Sequence, residues 1–173
     1  MNYAEIKAYD IADGPGVRVS LFVSGCTHHC EDCFNEVAWD FRYGKPFTKE
    51  VEDQLIESLK PDYIQGLTLL GGEPLEPANQ KGLLPFVRRV RRELPDKDIW
   101  CYTGYLYTPD GVHRVIPETS CTEELLSYLD VLVDGPYIKE QKNISLLFRG
   151  SENQRLIDLP RTRKEGKVVL WTH

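Results

Sequence analysis

Polar and apolar positions alternate among β-branched residues in Val17-Arg18-Val19-Ser20-Leu21-Phe22-Val23, which predicts a strand running into Ser24-Gly25-Cys26. Further on, Val51, Leu55 and Leu59 recur at helical spacing behind Thr48, with Glu50, Glu52 and Asp53 at the start and Pro61 beyond the end. A side-chain cap, early acids that favour the positive helix end, and a terminal breaker together predict a helix. Ile64 to Leu70 is a short apolar run closed by Gly71-Gly72, hence a buried strand. Leu83, Val87, Val90 and Leu94 form a second helical stripe, in which Pro85 is tolerable only in the first turn. Asp98 to Tyr102 then reads as a strand ended by Thr103-Gly104. Ser120-x-x-Glu123 has the form of a capping box before Leu125, Leu126 and Leu129. It leads into a fourth strand, Asp130 to Val133, and the turn Asp134-Gly135-Pro136. Leu146-Leu147-Phe148, Arg155 to Leu159 and Lys167 to Trp171 read as short strands, the last two as a hairpin across Arg163–Gly166.

Strands alternating with helices predict an α/β fold with a mostly parallel sheet, which binds ligands at the carboxyl ends of its strands. The segments Cys26–Cys33, Gly71–Pro74, Thr103–Tyr105 and Asp134–Tyr137 all follow predicted strands and therefore gather on one face. A length of 173 residues suits a single domain, and 41% hydrophobic with 28% charged residues is a globular balance. No apolar run approaches the ~18 residues of a membrane span, and Met1-Asn2-Tyr3-Ala4-Glu5 lacks a signal-peptide pattern, so a cytoplasmic protein away from the membrane is expected. A net charge of −6 opposes an electrostatic grip on nucleic acid.

Of the 5 cysteines, Cys26, Cys30 and Cys33 cluster while Cys101 and Cys121 stand apart. In a cytosolic chain such clustering favours metal or redox chemistry over disulfides. The C-x3-C-x2-C spacing can wrap three thiolates round one soft metal centre and leave a coordination position open. Alternatively His28 or His29 completes a closed zinc site, although both are expected at the loop surface. Gly71-Gly72-Glu73-Pro74 is either an ordinary turn or a bare backbone that lets a ligand approach closely.

The cysteine triplet resembles that of the radical S-adenosylmethionine superfamily, and Gly71-Gly72-Glu73-Pro74 resembles its loop for the amino group of the methionine moiety. Asp13-Gly14-Pro15-Gly16-Val17-Arg18, continuing through Leu21 to Cys26, resembles the opening of glycyl-radical-enzyme activases. Pro46-Phe47-Thr48, Asp98-Ile99-Trp100 with Thr103-Gly104-Tyr105, Val131 to Gly135, and Arg149-Gly150-Ser151-x-Asn153-Gln154 narrow the likeness to activators of anaerobic ribonucleoside-triphosphate reductase. The resemblance implies a partial (β/α) barrel with its core in residues 1–157 and an extension over 158–173. It implies a single 4Fe-4S cluster on Cys26, Cys30 and Cys33, with S-adenosyl-L-methionine on the open iron. Further cofactor contacts would come from Gly71, Gly72 and Glu73, from the backbone of Asp32, Cys33 and Phe34 toward adenine, and from Asp134 toward ribose unless it caps the turn at Gly135. The implied enzyme takes an electron from flavodoxin or a similar donor, cleaves S-adenosylmethionine and removes hydrogen from a glycine of the reductase. Association as a homodimer is left open. The alternatives are an activase of pyruvate formate-lyase or another glycyl radical enzyme, an iron-sulfur electron carrier, and a zinc-binding module.

The chain departs from the family where Asp32, not an aromatic residue, precedes the third cysteine. Phe34 is then expected to shield the site, with Asp32 turned to solvent because a carboxylate would hinder cluster reduction. The stretch Leu106–Thr119 and the residues beyond Pro160 exceed the family's usual pattern. Cys101 and Cys121 are expected as small buried apolar groups. Arg88, Arg89, Arg91 and Arg92 form a basic helix face, either merely solvated or a dock for an acidic electron donor.

Overall fold

A computed structural model describes residues 1–110 and 115–173. The part of the Leu106–Thr119 stretch at 111–114 lies outside the described residues. Strands β1 (Asn2–Asp10), β2 (Val17–Val23) and β3 (Lys45–Pro46) precede α1 (Lys49–Leu59), β4 (Ile64–Gly71), α2 (Pro77–Glu93) and β5 (Asp98–Tyr102). Then come α3 (Thr122–Ser127), β6 (Val131–Asp134), β7 (Arg155–Asp158) and α4 (Leu159–Glu165). All strands join one sheet in the order β3-β1-β2-β4-β5-β6-β7.

The sheet is parallel through its centre, where β2, β4, β5 and β6 pair in that order and are connected through α1, α2 and α3. Its flanks are antiparallel: β1 pairs with β2 and β3 on one side, β7 with β6 on the other. The expected mostly parallel sheet is thus present at the centre, with antiparallel flanks, and it is open, since β3 and β7 lie at opposite edges. The strand β1 escapes the sequence pattern because its residues are nearly all half-buried or exposed.

Period-two alternation gives the sheet two different faces. On one, Val19, Leu21, Val23, Leu67, Leu69, Ile99, Cys101 and Leu132 pack in a single cluster with the helix stripes, including Leu55, Leu59, Leu83, Val87, Val90 and Leu125. The other, helix-free face carries Arg18, Ser20 and Thr68, all fully buried, and a smaller cluster of Trp100, Val131 and Val133. Arg18 is held there by Thr68 Oγ1 (2.7 Å), Asp98 Oδ1 (2.5 Å) and the carbonyls of Pro15 and Leu67. A buried guanidinium costs several kcal/mol unless its donors are met. The glycine-rich turn ahead of β2 thus folds over the sheet to satisfy Arg18.

Four local expectations are corrected. Pro85 lies in the interior of α2, because that helix starts at Pro77 and its first turn is fixed by buried polar residues. Asn79 donates to the carbonyls of Ser24 and Glu73, and Gln80 to those of Leu75 and Pro117. The Ser120–Glu123 capping box does not form: Cys121 occupies the N-cap with no side-chain bond, and Thr119 Oγ1 accepts from the Cys121 amide instead. The segment Leu146–Phe148 is a turn, not a strand, and no tight hairpin spans Arg163–Gly166. Asp158 caps α4 through the Arg161 amide (3.0 Å), Pro160 sits in the first turn, and Gly166 ends the helix at φ 71°. Leu170 nonetheless returns to pair with Ile157 antiparallel.

The arginines of α2 are spent within the fold. Arg88 makes a two-bond fork to Glu124, Arg89 bonds Asp53 and Glu93, and Arg91 bonds Asp130 and the Tyr128 carbonyl. Arg92 is the most exposed of the four, at 70%, and among the described residues reaches only its neighbour Glu93, at 3.4 Å; Arg88 is exposed too. These pairs knit α1, α2 and α3 together.

Candidate functional site

The four loops do gather at the carboxyl ends of the parallel strands. Gly25 and Cys26 leave β2 with their amides bonded to the carbonyls of Ala38 and Trp39. From there the cysteine loop winds through two non-glycine residues with positive φ, His29 at 50° and Asp32 at 57°. Such conformers cost of order 1–3 kcal/mol each and persist only where their surroundings hold them. His29 is held by stacking on Trp39 at 4.2 Å. Asp32 turns outward to Lys139 Nζ at 3.3 Å, as its expected solvent position requires. Phe34 leans on Tyr137 at 5.5 Å, with Lys142 Nζ 5.7 Å from its ring centre, and is 78% exposed.

All five cysteines are free thiols. Backbone amides face the triplet: the Asn35 amide donates to Cys33 Sγ at 3.5 Å, and the amides of His28 and His29 beside Cys26, and of Tyr137 beside Cys30, favour the thiolate form. Burial pushes the Cys26 thiol up to about 11 and raises Cys30 as well. A bound cation reverses that balance, since coordinating thiols are deprotonated. The donor set therefore fits an iron-sulfur cluster: soft sulfur ligands on one loop, with amides aimed at the charge that ligation creates. Among the described residues, no three His, Cys, Asp or Glu side chains converge on a point that would hold a single metal ion. A four-iron cluster, in contrast, takes its thiolates one per iron. Cys101 is fully buried, as expected, while Cys121 is half-buried against the core.

Gly71 and Gly72 sit against the cysteine loop's root, and the crowding there is from protein backbone. Gly71 has φ 130°, and a Cβ on Gly72 would lie 2.7 Å from the Gly25 carbonyl oxygen and 2.9 Å from that of Ala38. The Gly72 amide donates to Val23 O, and the Glu73 amide to Gly25 O at 2.7 Å. Close approach does demand glycine here, but the approaching group is the chain itself. Gly72→Ala should accordingly lower the thermal midpoint by several degrees, by a clash of ~1–3 kcal/mol, which calorimetry of the purified protein would measure.

Glu73 is 1% exposed, and its carboxylate is occupied by protein donors. Oε1 accepts from the Gly104 amide at 2.7 Å, from Thr103 Oγ1 at 3.0 Å and lies 2.7 Å from His28 Nε2; Oε2 accepts from the Leu75 amide at 2.8 Å. The bond to Glu73 raises the His28 pKa above its ordinary value. His28 also packs edge-on against Tyr105 at 4.4 Å. His28 is thus not the surface residue expected: it joins the cysteine loop to the loops after β4 and β5. Glu76 adds a second tie through the Thr27 amide and hydroxyl. Glu76 was not singled out by its local pattern, nor were the ties of His28, Thr103 and Gly104 to Glu73, because only the third dimension brings these residues together.

Asp134 is fully buried at the end of β6. Its carboxylate accepts from Arg155 Nε at 2.9 Å and Nη2 at 2.5 Å and from the Tyr107 amide at 2.9 Å. It joins β6 to β7, with no hydrogen bond to the turn at Gly135.

An open α/β sheet with one three-cysteine loop at its carboxyl edge defines a single-cluster iron-sulfur domain, and residues 12–157 match a family model described as a 4Fe-4S single cluster domain. The anaerobic ribonucleoside-triphosphate reductase-activating protein of Haemophilus influenzae is 49% identical over 157 residues, covering 89% of this chain and 96% of its own. Proteins of the same name from Escherichia coli K12 (42% identical, covering 89% of this chain and 96% of theirs) and phage T4 (44%, covering 90% and 93%) are also similar. The chain belongs to the family of anaerobic ribonucleoside-triphosphate reductase-activating proteins.

Proposed function

We propose that this chain is a radical S-adenosylmethionine activase, with a core of the partial-barrel type, that installs a glycyl radical on an anaerobic ribonucleoside-triphosphate reductase. The observation that carries this reading is the amide-lined set of three thiols at Cys26, Cys30 and Cys33, packed against the Gly71–Glu73 loop. With three protein ligands, one iron of a four-iron cluster is left for the methionine moiety of S-adenosylmethionine. Bound there, the cluster would supply one-electron reduction of S-adenosylmethionine, with the electron from a donor such as flavodoxin, and so the hydrogen-abstracting chemistry that would make a glycyl radical on the partner.

The chain's own residues supply position. The Gly71–Gly72 backbone and the Asp32–Phe34 segment of the cysteine loop would hold the cofactor, with the exposed ring of Phe34 toward its adenine. Glu73 acts from beneath, by fixing His28, Thr103 and Gly104. Abstraction needs reacting atoms about 3–3.5 Å apart, so the partner's glycine must be docked beside the site.

Electron paramagnetic resonance tests this reading. The reduced, reconstituted protein with S-adenosylmethionine should yield a persistent glycyl signal when the reductase is added and none with nucleotides alone. A signal obtained only with pyruvate formate-lyase would reassign the partner, and production of no 5′-deoxyadenosine would leave only an electron carrier.

A further inference from the structure

The β5–β6 part of the helix-free face is covered by an aromatic strap that lies outside the matched region 12–157. After α4, Lys167–His173 turns back along β7: the Asp158 amide donates to Val169 O, the Val169 amide to Thr162 Oγ1 at 2.9 Å, and the Trp171 amide to Leu156 O at 2.7 Å. Since Leu170 pairs antiparallel with Ile157, and β7 is antiparallel to β6, the strap runs toward the carboxyl end of β6, the end that carries the cysteine loop. Trp171 is its anchor, set edge-on to Trp100 at 4.9 Å and near Phe148 at 6.2 Å. Phe148 is itself held at φ 61°, a strained value for a bulky residue, with its carbonyl accepting from Tyr102 Oη at 2.6 Å. Besides Trp171, only Val168 packs on the core among the strap's side chains: Leu170 is 54% exposed, and Lys167, Thr172 and His173, whose ring lies 5.5 Å from Trp171, are exposed.

Helices fill the opposite face of the sheet, so a partner segment bound for the cysteine loop reaches it along this side. An element with few buried contacts is one that opens at low cost. We propose that the strap is a displaceable stand-in for the glycine-bearing segment of the protein substrate, which takes its place along the β7 edge and fills the Trp171 position with an aromatic or other large apolar side chain. The strap itself defines the chemistry of that occupant: an extended backbone that pairs with Leu156–Asp158, and one ring between Trp100 and Phe148. While the strap is seated, the trapped fraction lowers the apparent affinity for the partner.

The inference rests on the activase reading and is tested apart from it. Hydrogen exchange, followed by mass spectrometry on the full-length reconstituted protein, should show the Val169 and Trp171 amides losing protection when the anaerobic reductase is added. Trp171→Ala should bind the reductase about two- to tenfold more tightly, the range one aromatic contact supplies. A glycyl signal formed while strap protection stays unchanged or rises, or weaker binding by Trp171→Ala, would overturn the strap and leave the activase reading standing. Absence of both complex and glycyl signal would sink the activase reading and the strap with it.

Discussion

Replacing any one of Cys26, Cys30 or Cys33 with Ala should abolish 5′-deoxyadenosine formation, whereas Cys101→Ala and Cys121→Ala should retain it. Removing an outer hydrogen-bond partner of a metal ligand already costs ~10–100-fold in affinity or activity, so loss of a ligand should exceed that range. The asymmetry follows from placement. The triplet shares one loop with backbone amides beside its sulfurs, while Cys101 is buried within β5, where burial raises its pKa well above the ordinary value. Cys121 lies at the start of α3, packed on the core. Iron and sulfide analysis together with a product assay would check the outcome. Near-normal turnover in Cys30→Ala would remove the cluster assignment, whatever the family. Cys101→Ala should instead cost only stability, through a small cavity beside Leu132 and Ile99.

The parallel centre of the sheet was legible because each of its strands is an apolar run ended by glycine or a turn, and α1 because its cap and stripe agree. What the pattern missed is polar or edge structure. The strand β1 is half-exposed along its length, and the start of α2 rests on Asn79 and Gln80, whose burial depends on carbonyls from other loops. The segment after β7 carried both a capping signal at Asp158 and a helix-ending glycine at Gly166, but its apolar residues are too few to show a helical stripe. At the site, spacing alone pointed to the three cysteines as candidate ligands, because such a pattern is local. The roles of Glu73 and Asp134 were not local: each is a buried carboxylate, with partners from three stretches of chain for Glu73 (His28, Leu75, Thr103–Gly104) and two for Asp134 (Tyr107, Arg155).

Glu73→Gln should therefore be more damaging than its near-identical shape suggests. The carboxylate only accepts, and it faces the Leu75 and Gly104 amides, the Thr103 hydroxyl and His28. An amide must turn its own NH2 toward one of these donors, leaving at least one buried N–H unpaired and the His28 link weakened. Hydrogen bonds to a charged group contribute ~1.5–3 kcal/mol, and a stranded buried donor adds its desolvation cost, so a loss of roughly 3 kcal/mol or more is expected. Urea denaturation of the purified protein would measure it. Because the same contacts join the cysteine loop to the loops after β4 and β5, the variant should also bind S-adenosylmethionine more weakly when reconstituted. His28→Gln, which keeps a donor toward the intact carboxylate, should restore more of both properties than His28→Ala. If Glu73→Gln instead kept full stability and lost only cofactor binding, the side chain would be a direct ligand contact and the scaffold role argued from its saturated carboxylate would be wrong.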